Sequence, residues 1–235
     1  MRYWLVMPAA GSGRRFGTTV PKQYAALAGR TVIEWSLAPF VADSRCAGIR
    51  VVLAAGDGHW AQLMLDDPSS RLRAVEGGAE RWESVQRGLA ALPPEAMNDW
   101  VLVHDAARPC LATEELELLL ESLDHSPDGA LLAAPLTDTL KKARSSGAAE
   151  VAQSTVDRDG LWRAQTPQAF RGRVLAAALQ RCAAERLAPT DEAQAVEVLG
   201  LAPRLVRGFA TNIKITSADD LQLASAILTP QESGT

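Results

Sequence analysis

The sequence predicts an α/β protein with a three-layer, Rossmann-like core around a mainly parallel sheet, and a β-hairpin arm that projects from this core. Three observations lead to this prediction. Short apolar runs alternate with amphipathic stretches along residues 1–135, a rhythm typical of parallel sheets covered by helices on both faces. A polar stretch interrupts the rhythm at residues 136–166. The rhythm then resumes over residues 167–230, which we assign to the same domain as residues 1–135.

Five strands and four helices are predicted before the arm. The strands are short and apolar, and we place them at residues 3–7, 49–54, 72–75, 100–103 and 130–134. The helices lie between them, at residues 32–41, 59–65, 81–92 and 114–123. Pro93 and Pro94 end the third helix, because proline cannot continue one. Thr113 is the expected N-cap of the fourth helix.

The polar stretch at residues 136–166 predicts a projecting hairpin. Two β-like segments, at residues 139–143 and 150–156, flank the turn sequence Ser145-Ser146-Gly147. An isolated hairpin is only marginally stable in water, so we expect the arm to pack on a second copy of the chain. This predicts a homodimer formed through the arm. The alternative is a mobile loop, although long structureless loops are uncommon in compact domains.

Two helices, a short strand and a final helix are expected after the arm. We place the first two helices at residues 174–185 and 192–199, and the strand at residues 205–206. Thr190 and Asp191 stand at the start of the second of these helices. Ser217 and Asp220 have the spacing of a capping box, which predicts that the last helix begins there.

Composition excludes several classes of function. The net charge of −4 argues against a non-specific nucleic-acid-binding protein, which is usually basic. No uninterrupted apolar run reaches the 18 residues of a transmembrane helix, so we expect no membrane partner. Cys46, Cys110 and Cys182 have neither zinc-site nor disulfide spacing, which favours a reducing, cytoplasmic location.

The segment after the first strand is a candidate phosphate-binding loop. Residues 8–17 read Pro-Ala-Ala-Gly-Ser-Gly-Arg-Arg-Phe-Gly, and Pro21-Lys22-Gln23 follows. Glycines let backbone N–H groups approach an anion closely, and Arg15 and Lys22 add fixed positive charge. Neither the Walker A pattern nor the dinucleotide fingerprint fits the spacing, and the loop suits a nucleoside triphosphate better. Taken alone, the segment could also be a solvated surface turn.

Two further polar segments follow predicted strands. Residues 77–81 follow the third strand, with Ser84 one turn into the next helix, and residues 104–109 follow the fourth strand. Because ligands bind outside the carboxyl ends of parallel strands, we expect both segments to meet the glycine-rich loop at one edge of the sheet. Asp105 would be well placed there to hold Mg²⁺, and Arg108 to clamp an anion. The alternative is a local surface ion pair. The histidine of this segment is expected to be packed rather than catalytic.

Together these motifs resemble one enzyme family. They follow one another in order from about residue 3 to residue 228, and comprise residues 8–15, 21–23, 77–85, 103–109, 134–139, 155–158, 165–168, 190–192 and 212–214. The set is similar to that of the 2-C-methyl-D-erythritol 4-phosphate cytidylyltransferases. One departure is Ala79, where the family usually has Asp, and it affects one side-chain contact near the nucleotide.

The resemblance implies transfer of CMP from CTP to 2-C-methyl-D-erythritol 4-phosphate, with Mg²⁺, in the non-mevalonate isoprenoid pathway. The products are 4-diphosphocytidyl-2-C-methyl-D-erythritol and pyrophosphate. It also implies roles for residues of this chain. Catalysis would rest on Arg15 and Lys22, and nucleotide binding on Ala10, Gly11, Gly13, Gly78, Ser84 and Asp105, the last also touching the metal. The polyol phosphate would be bound by Arg108, Thr139, Arg158, Thr190 and Lys214.

The residue types fit this chemistry. The attacking phosphate monoester oxygen is already an anion, so no strong general base is required. The difficulty is to bring two polyanions together, which fixed cations and Mg²⁺ achieve. Two alternatives stay open: a cytidylyltransferase for another polyol phosphate, such as ribitol 5-phosphate, and a non-catalytic nucleotide-sensing module. A substrate screen distinguishes the first alternative, and pyrophosphate release distinguishes the second.

Overall fold

A computed structural model describes residues 1–11, 20–63, 65, 71–147 and 149–229, which form a seven-stranded sheet, two small ladders and six α-helices. The strands are β1 (Tyr3–Pro8), β2 (Ala26–Leu27), β3 (Arg30–Thr31), β4 (Cys46–Leu53), β5 (Leu72–Glu76), β6 (Trp100–Val103), β7 (Ala130–Pro135), β8 (Leu140–Ser146), β9 (Ala149–Val156), β10 (Trp162–Arg171) and β11 (Arg204–Arg207). The helices are α1 (Val32–Ala42), α2 (Arg81–Ala90), α3 (Thr113–Ser122), α4 (Gly172–Glu185), α5 (Glu192–Glu197) and α6 (Ala218–Leu228).

The main sheet is mostly parallel, as predicted. Its strand order is β11-β7-β10-β6-β1-β4-β5. Strand β10 is antiparallel to both of its neighbours, β6 and β7, and the other neighbouring pairs are parallel. The carboxyl ends of β1, β5 and β6 therefore lie at one edge of the sheet, which is where the predicted polar segments begin.

Helices cover both faces of the sheet, which confirms the three layers. Along β1, Tyr3, Leu5 and Met7 pack with α1 and α3 on one face, whereas Trp4 and Val6 pack with α2 and α4 on the other. Helix α2 lies very close to the sheet at Gly88. A Cβ there would lie 2.6 Å from Val6 Cγ1, so a larger residue would push the helix away. This close packing fixes the start of α2 beside the end of β1.

Strand β10 is the main element that the sequence analysis did not predict. It starts at Trp162, so the last residues of the range 136–166 belong to the main sheet rather than to the arm. Its buried half contains Gln165, Thr166 and Gln168, whose polar side chains conceal the strand from a hydropathy pattern. The predicted hairpin itself is present as β8 and β9, which pair only with each other within the described residues.

Three smaller predictions had different outcomes. Thr113 is not the N-cap of α3 but its first residue, and the N–H of Ala112, the N-cap, donates to Glu115 Oε2 at 3.1 Å. Only Trp60–Gln62 of the helix expected at residues 59–65 are helical among the described residues, as a short 3₁₀ turn. The capping box of α6 is confirmed, with Ser217 N–H donating to Asp220 Oδ2 at 2.8 Å.

The described helices are all too short or too polar to cross a bilayer. The three cysteines are free and buried.

Candidate active site

Two adjoining pockets lie at the carboxyl ends of the parallel strands. The first has a volume of about 180 Å³ and is lined by residues 8–11, 22–23, 78–81, 84, 105–107 and 214. The second is lined by residues 81, 105, 108, 164–166, 168, 190–191 and 214. Arg81, Asp105 and Lys214 line both pockets and form the boundary between them. The structure thus brings together polar segments that are far apart in the sequence.

The first pocket begins where β1 ends. Ala10 and Gly11 line it, and Lys22 reaches it from the 3₁₀ turn Lys22–Tyr24. Gln23 Nε2 donates to the carbonyl oxygens of Ala9 at 2.8 Å and Gly11 at 3.3 Å, which fixes the course of the chain at the start of the loop. Lys22 Nζ donates to the carbonyl oxygen of Ile215 at 2.9 Å. Gly13 and Arg15 lie outside the described residues, so their predicted roles are not tested.

The backbone at Gly77 and Gly78 packs closely against the start of the glycine-rich loop at Ala10. A Cβ at Gly77 would lie 2.9 Å from Ala10 Cβ and 2.8 Å from Ser84 Oγ, so glycine is required for this approach. Ser84 Oγ accepts from Gly78 N–H at 3.1 Å and donates to the carbonyl oxygen of Glu80 at 3.1 Å. Ser84 therefore shapes the turn that carries Gly78, and both residues line the pocket as predicted.

Ala79 is exposed in this turn. Its N–H donates to Glu83 Oε2 at 2.7 Å, and the N–H of Glu80 donates to the same oxygen at 3.2 Å. The Glu83 carboxylate thus holds the turn by two backbone bonds, and a side chain at residue 79 is not needed to shape it.

Asp105 is the centre of a buried charge cluster. Its Oδ2 lies 2.7 Å from Lys214 Nζ, and its Oδ1 accepts from Arg81 at 3.0 and 3.2 Å. Arg108 Nε lies 3.8 Å from Oδ2. Burial alone would raise the pKa of Asp105, but Arg81, Lys214 and Arg108 outweigh it and hold the pKa well below its usual range. Asp105 is therefore a permanent anion that orders three cations, rather than half of an exposed surface pair.

Arg108 forms the back of the second pocket. Its guanidinium donates to the carbonyl oxygens of Asn212 at 2.7 Å and Ala164 at 3.3 Å. Its Nε is buried and has no hydrogen-bond partner. An unsatisfied buried donor is costly, and an anion bound in this pocket would satisfy it.

A series of hydrogen bonds through His104 and Thr166 holds the loop that follows β6. Because a carbonyl oxygen can only accept, His104 Nε2 donates to the carbonyl oxygen of Arg108 at 3.1 Å. His104 Nδ1 then accepts from Thr166 Oγ1 at 3.0 Å, and that oxygen accepts from the N–H of Asp105 at 3.1 Å. His104 is a packed histidine, as expected, and it positions Asp105 and Arg108 without contacting either pocket.

The free energy of unfolding should fall as the pH drops from about 6.5 to about 4. Burial lowers the pKa of His104 from 6.5 to about 4. Below pH 6.5 the unfolded chain therefore takes up a proton that the folded chain refuses, and stability present above this pH is lost as the pH falls towards 4. The shift corresponds to about 3 kcal/mol. Urea unfolding at pH 7 and pH 4.5 should show a smaller loss for His104→Gln than for the wild type, and equal losses would contradict this account.

Thr190 and Lys214 line the second pocket, and Lys214 lines the first pocket as well. Thr139 and Arg158 do not line either pocket of their own chain. Both are exposed and lie on the segments that flank the hairpin, where Arg158 donates to the carbonyl oxygen of Thr137. No group of three or more His, Cys, Asp or Glu side chains in the described residues could hold a metal ion by itself.

Several residues of this site were not predicted from the sequence. Arg81 and Glu192 form a salt bridge across the boundary of the pockets, and Gln165 and Asn212 are buried next to Arg108. All four belong to the motifs that carried the resemblance. A signal was therefore present, but the sequence did not show which side chains would meet.

The family resemblance is confirmed by comparison with known proteins. The model of the family described as 2-C-methyl-D-erythritol 4-phosphate cytidylyltransferase matches residues 3–230. The chain belongs to this family. Cytidylyltransferases of this name from Acidithiobacillus ferrooxidans and Halorhodospira halophila are each 50% identical to it. The first alignment covers 97% of this chain and 96% of the relative, and the second covers 100% and 97%.

Solved structures of cytidylyltransferases have the same fold. The enzyme from Francisella tularensis, named 2-C-methyl-D-erythritol 4-phosphate cytidylyltransferase, is 32% identical with a TM-score of 0.82, over 97% of this chain and 100% of that one. The enzyme of this name from Thermus thermophilus is 34% identical with a TM-score of 0.76, over 95% and 96%. The α/β architecture with its separate hairpin is thus the fold of this family.

Proposed function

We propose that this chain transfers CMP from CTP to 2-C-methyl-D-erythritol 4-phosphate in the non-mevalonate isoprenoid pathway. The products are 4-diphosphocytidyl-2-C-methyl-D-erythritol and pyrophosphate. Membership of the cytidylyltransferase family supports these substrates. The observation that supports the reaction best is the pair of adjoining pockets whose common boundary consists of Arg81, Asp105 and Lys214. Two anionic substrates bound there would meet beside two fixed cations, Arg81 and Lys214, which Asp105 holds in place.

The first pocket is proposed as the CTP site. The backbone of Ala10, Gly11, Gly13 and Gly78 would contact the nucleotide, and Ser84 would hold the turn that presents Gly78. Lys22 and Arg15 would stabilise charge that develops on the phosphates in the transition state. The half-buried position of Lys22 at the wall of this pocket supports its part of the proposal.

The second pocket is proposed as the polyol phosphate site. Arg108 and Lys214 would bind the phosphate, and Thr190 would contribute a hydroxyl at its rim. The Nε of Arg108 supports this assignment, because it is a buried donor without a hydrogen-bond partner, and its distance of 3.8 Å from Asp105 Oδ2 is too long for such a bond. Lys214 supports it as well, because its side chain is 40% exposed and its charge is therefore accessible to a ligand.

Mg²⁺ is proposed to enter with the triphosphate. The donor set fits such an ion, because Mg²⁺ in phosphoryl-transfer sites keeps several waters and needs only one or two carboxylates in addition to substrate phosphates. Asp105 is the carboxylate at the boundary of the pockets. Because Arg81 and Lys214 hold its two oxygens, it would bind the ion through a metal-bound water rather than directly. When bound, the ion would neutralise charge on the triphosphate.

The chain's own residues would act by positioning and by charge. The phosphate of the polyol, held by Arg108 and Lys214, would attack the α-phosphorus of CTP, and pyrophosphate would leave in line. No proton has to be removed from this nucleophile. The only described histidine near the pockets, His104, is buried and held neutral by its low pKa, which fits a reaction without a general base.

We further propose that Thr139 and Arg158 complete the polyol phosphate site of a partner subunit in a homodimer. The hairpin of β8 and β9 is almost wholly exposed and pairs only with itself within the described residues. Exposed two-stranded hairpins are marginally stable alone, so a partner surface would stabilise this one. A reducing, cytoplasmic location is also proposed, and the three free cysteines support it.

Pyrophosphate release with a panel of acceptors tests the proposed reaction. We expect release only when CTP and 2-C-methyl-D-erythritol 4-phosphate are both present, and little release with ribitol 5-phosphate. Preference for ribitol 5-phosphate would move the assignment to a related cytidylyltransferase. Binding of CTP without release with any acceptor would favour a nucleotide-sensing module instead.

A further inference from the structure

Glu192 is a buried carboxylate that the proposed reaction does not use. It is the first residue of α5 and only 1% of its surface is exposed. Both of its carboxylate oxygens accept from Arg81, Oε1 from Nη1 at 2.6 Å and Oε2 from Nη2 at 3.0 Å. A bidentate pair of this kind fixes the plane of the guanidinium as well as its position.

The adjacent edge of the same guanidinium faces Asp105. Its Nε and Nη2 donate to Asp105 Oδ1 at 3.2 and 3.0 Å. Arg81 therefore bridges two carboxylates and joins the first turn of α2 to the first turn of α5. These helix starts flank the two pockets, since Ser84 of α2 lines the first pocket, and Thr190 and Asp191, directly before α5, line the second.

This bridge determines which oxygen of Asp105 is available to Lys214. With Oδ1 bound by Arg81, Lys214 Nζ pairs with Oδ2 at 2.7 Å. If Arg81 moved, Lys214 could pair with either oxygen, and its ammonium would no longer have one fixed position. Glu192 also offsets the charge of Arg81, so that Lys214 and Arg108 remain the cations that face the second pocket.

We infer that Glu192 is a positioning residue, which acts through Arg81 and Asp105 to fix Lys214 as a phosphate-binding cation of the second pocket. The inference rests on the proposed function of that pocket. Glu192 does not contact substrate in this account. Its effect on binding of the polyol phosphate should exceed its effect on binding of CTP, because Lys214, the side chain that it fixes, is assigned to the polyol phosphate.

Glu192→Gln tests this role with little change of shape. An amide offers one acceptor where the carboxylate offers two, and its NH₂ faces an N–H of Arg81. We expect the KM for the polyol phosphate to rise about 10- to 100-fold, the effect of one lost hydrogen bond between charged groups. The kcat and the KM for CTP should change less than about threefold. Glu192→Asp keeps the charge but is one methylene shorter. Its KM for the polyol phosphate should lie between those of the wild type and Glu192→Gln.

A matched control and a double variant separate positioning from a purely structural role. Glu197→Gln changes an exposed glutamate of the same helix and should leave both KM values unaltered. If Glu192 acts through Arg81, adding Glu192→Gln to Arg81→Gln should have little further effect on kcat/KM. A lower melting temperature without any change of the two KM values would show that Glu192 is only structural. If the effects of the two substitutions on kcat/KM add in the double variant, Glu192 does not act through Arg81.

Calorimetric binding of the polyol phosphate to wild type and variants provides a readout besides turnover. We expect the Kd to rise in parallel with the KM, and an unchanged Kd would overturn the inference. Should Glu192→Gln fail to fold, Glu192→Asp takes its place, with an expected rise in Kd of about threefold to tenfold. If the wild type does not bind the polyol phosphate, the proposed function is refuted. If the wild type and the variants bind it with the same Kd, only the role of Glu192 is refuted.

Discussion

Lys22→Ala should lower kcat by about 10²–10³, the usual effect of removing one donor that stabilises transition-state charge. Lys22 lies at the wall of the first pocket, and its Nζ is already directed by a hydrogen bond to the carbonyl oxygen of Ile215 at 2.9 Å. Negative charge on the phosphates shifts towards the leaving pyrophosphate as the bond breaks, so a fixed cation there acts more strongly in the transition state than in the ground state.

Steady-state pyrophosphate release gives kcat and KM for this variant separately. Arg173→Ala is a suitable control, because it also removes a positive charge, but from an exposed position on α4 outside both pockets. The melting temperature should stay within a few degrees of that of the wild type. A normal kcat with a raised KM for CTP would mean that Lys22 binds substrate and transition state equally, contrary to the proposal.

Mixing two inactive variants should restore activity if the arm completes the site of its partner. Lys22→Ala removes one cation of the first pocket, and Arg158→Ala removes the proposed phosphate contact from the arm. If Arg158 acts in the partner's site, each mixed dimer has one intact site, with Lys22 from one chain and Arg158 from the other. Random pairing makes half of the dimers mixed, so activity should reach about a quarter of the wild-type value.

The assay is best run below the KM for the polyol phosphate, where the loss of Arg158 has its full effect. Differently tagged chains verify that subunits exchange, and mixing Lys22→Ala with the wild type provides the reference for dilution. If Arg158 acts within its own chain, every site contains one defect and nothing is restored. No recovery despite demonstrated exchange, or a chain that stays monomeric, would contradict the shared site.

The parallel part of the fold could be predicted from sequence because its residues obey simple patterns. Strand β1 is apolar throughout and buried on both faces, as expected for a central parallel strand. Strand β10 breaks this rule. Gln165, Thr166 and Gln168 are each at most 4% exposed, yet they are polar. Their hydrogen bonds to His104, Asp191 and backbone groups offset most of the cost of burial, and only Gln165 Oε1 among their side-chain atoms lacks a partner. A hydropathy pattern cannot reveal a strand whose buried side chains are polar and hydrogen-bonded to their neighbours.

The site was predictable in its parts but not in its connections. Strand ends indicated Gly78, Ser84, Asp105 and Arg108, and the structure places all four in the two pockets. The bridge of Glu192 and Arg81 joins residues 111 positions apart, and no local spacing marks such a pair. Only the fold brings α5 and α2 together, and therefore only the fold shows how the cations around Asp105 are held.

The stereochemical course at the α-phosphorus tests the central claim most directly. The claim is that fixed cations let the polyol phosphate attack CTP without an enzyme-bound intermediate. Of the described residues that line the first pocket, only Ser84 has a hydroxyl, and that hydroxyl donates to the carbonyl oxygen of Glu80 at 3.1 Å. With a single diastereomer of CTP that bears sulfur at the α-phosphorus, one in-line displacement predicts a product of inverted configuration. Retention of configuration would require two displacements through a CMP-enzyme intermediate and would contradict the account.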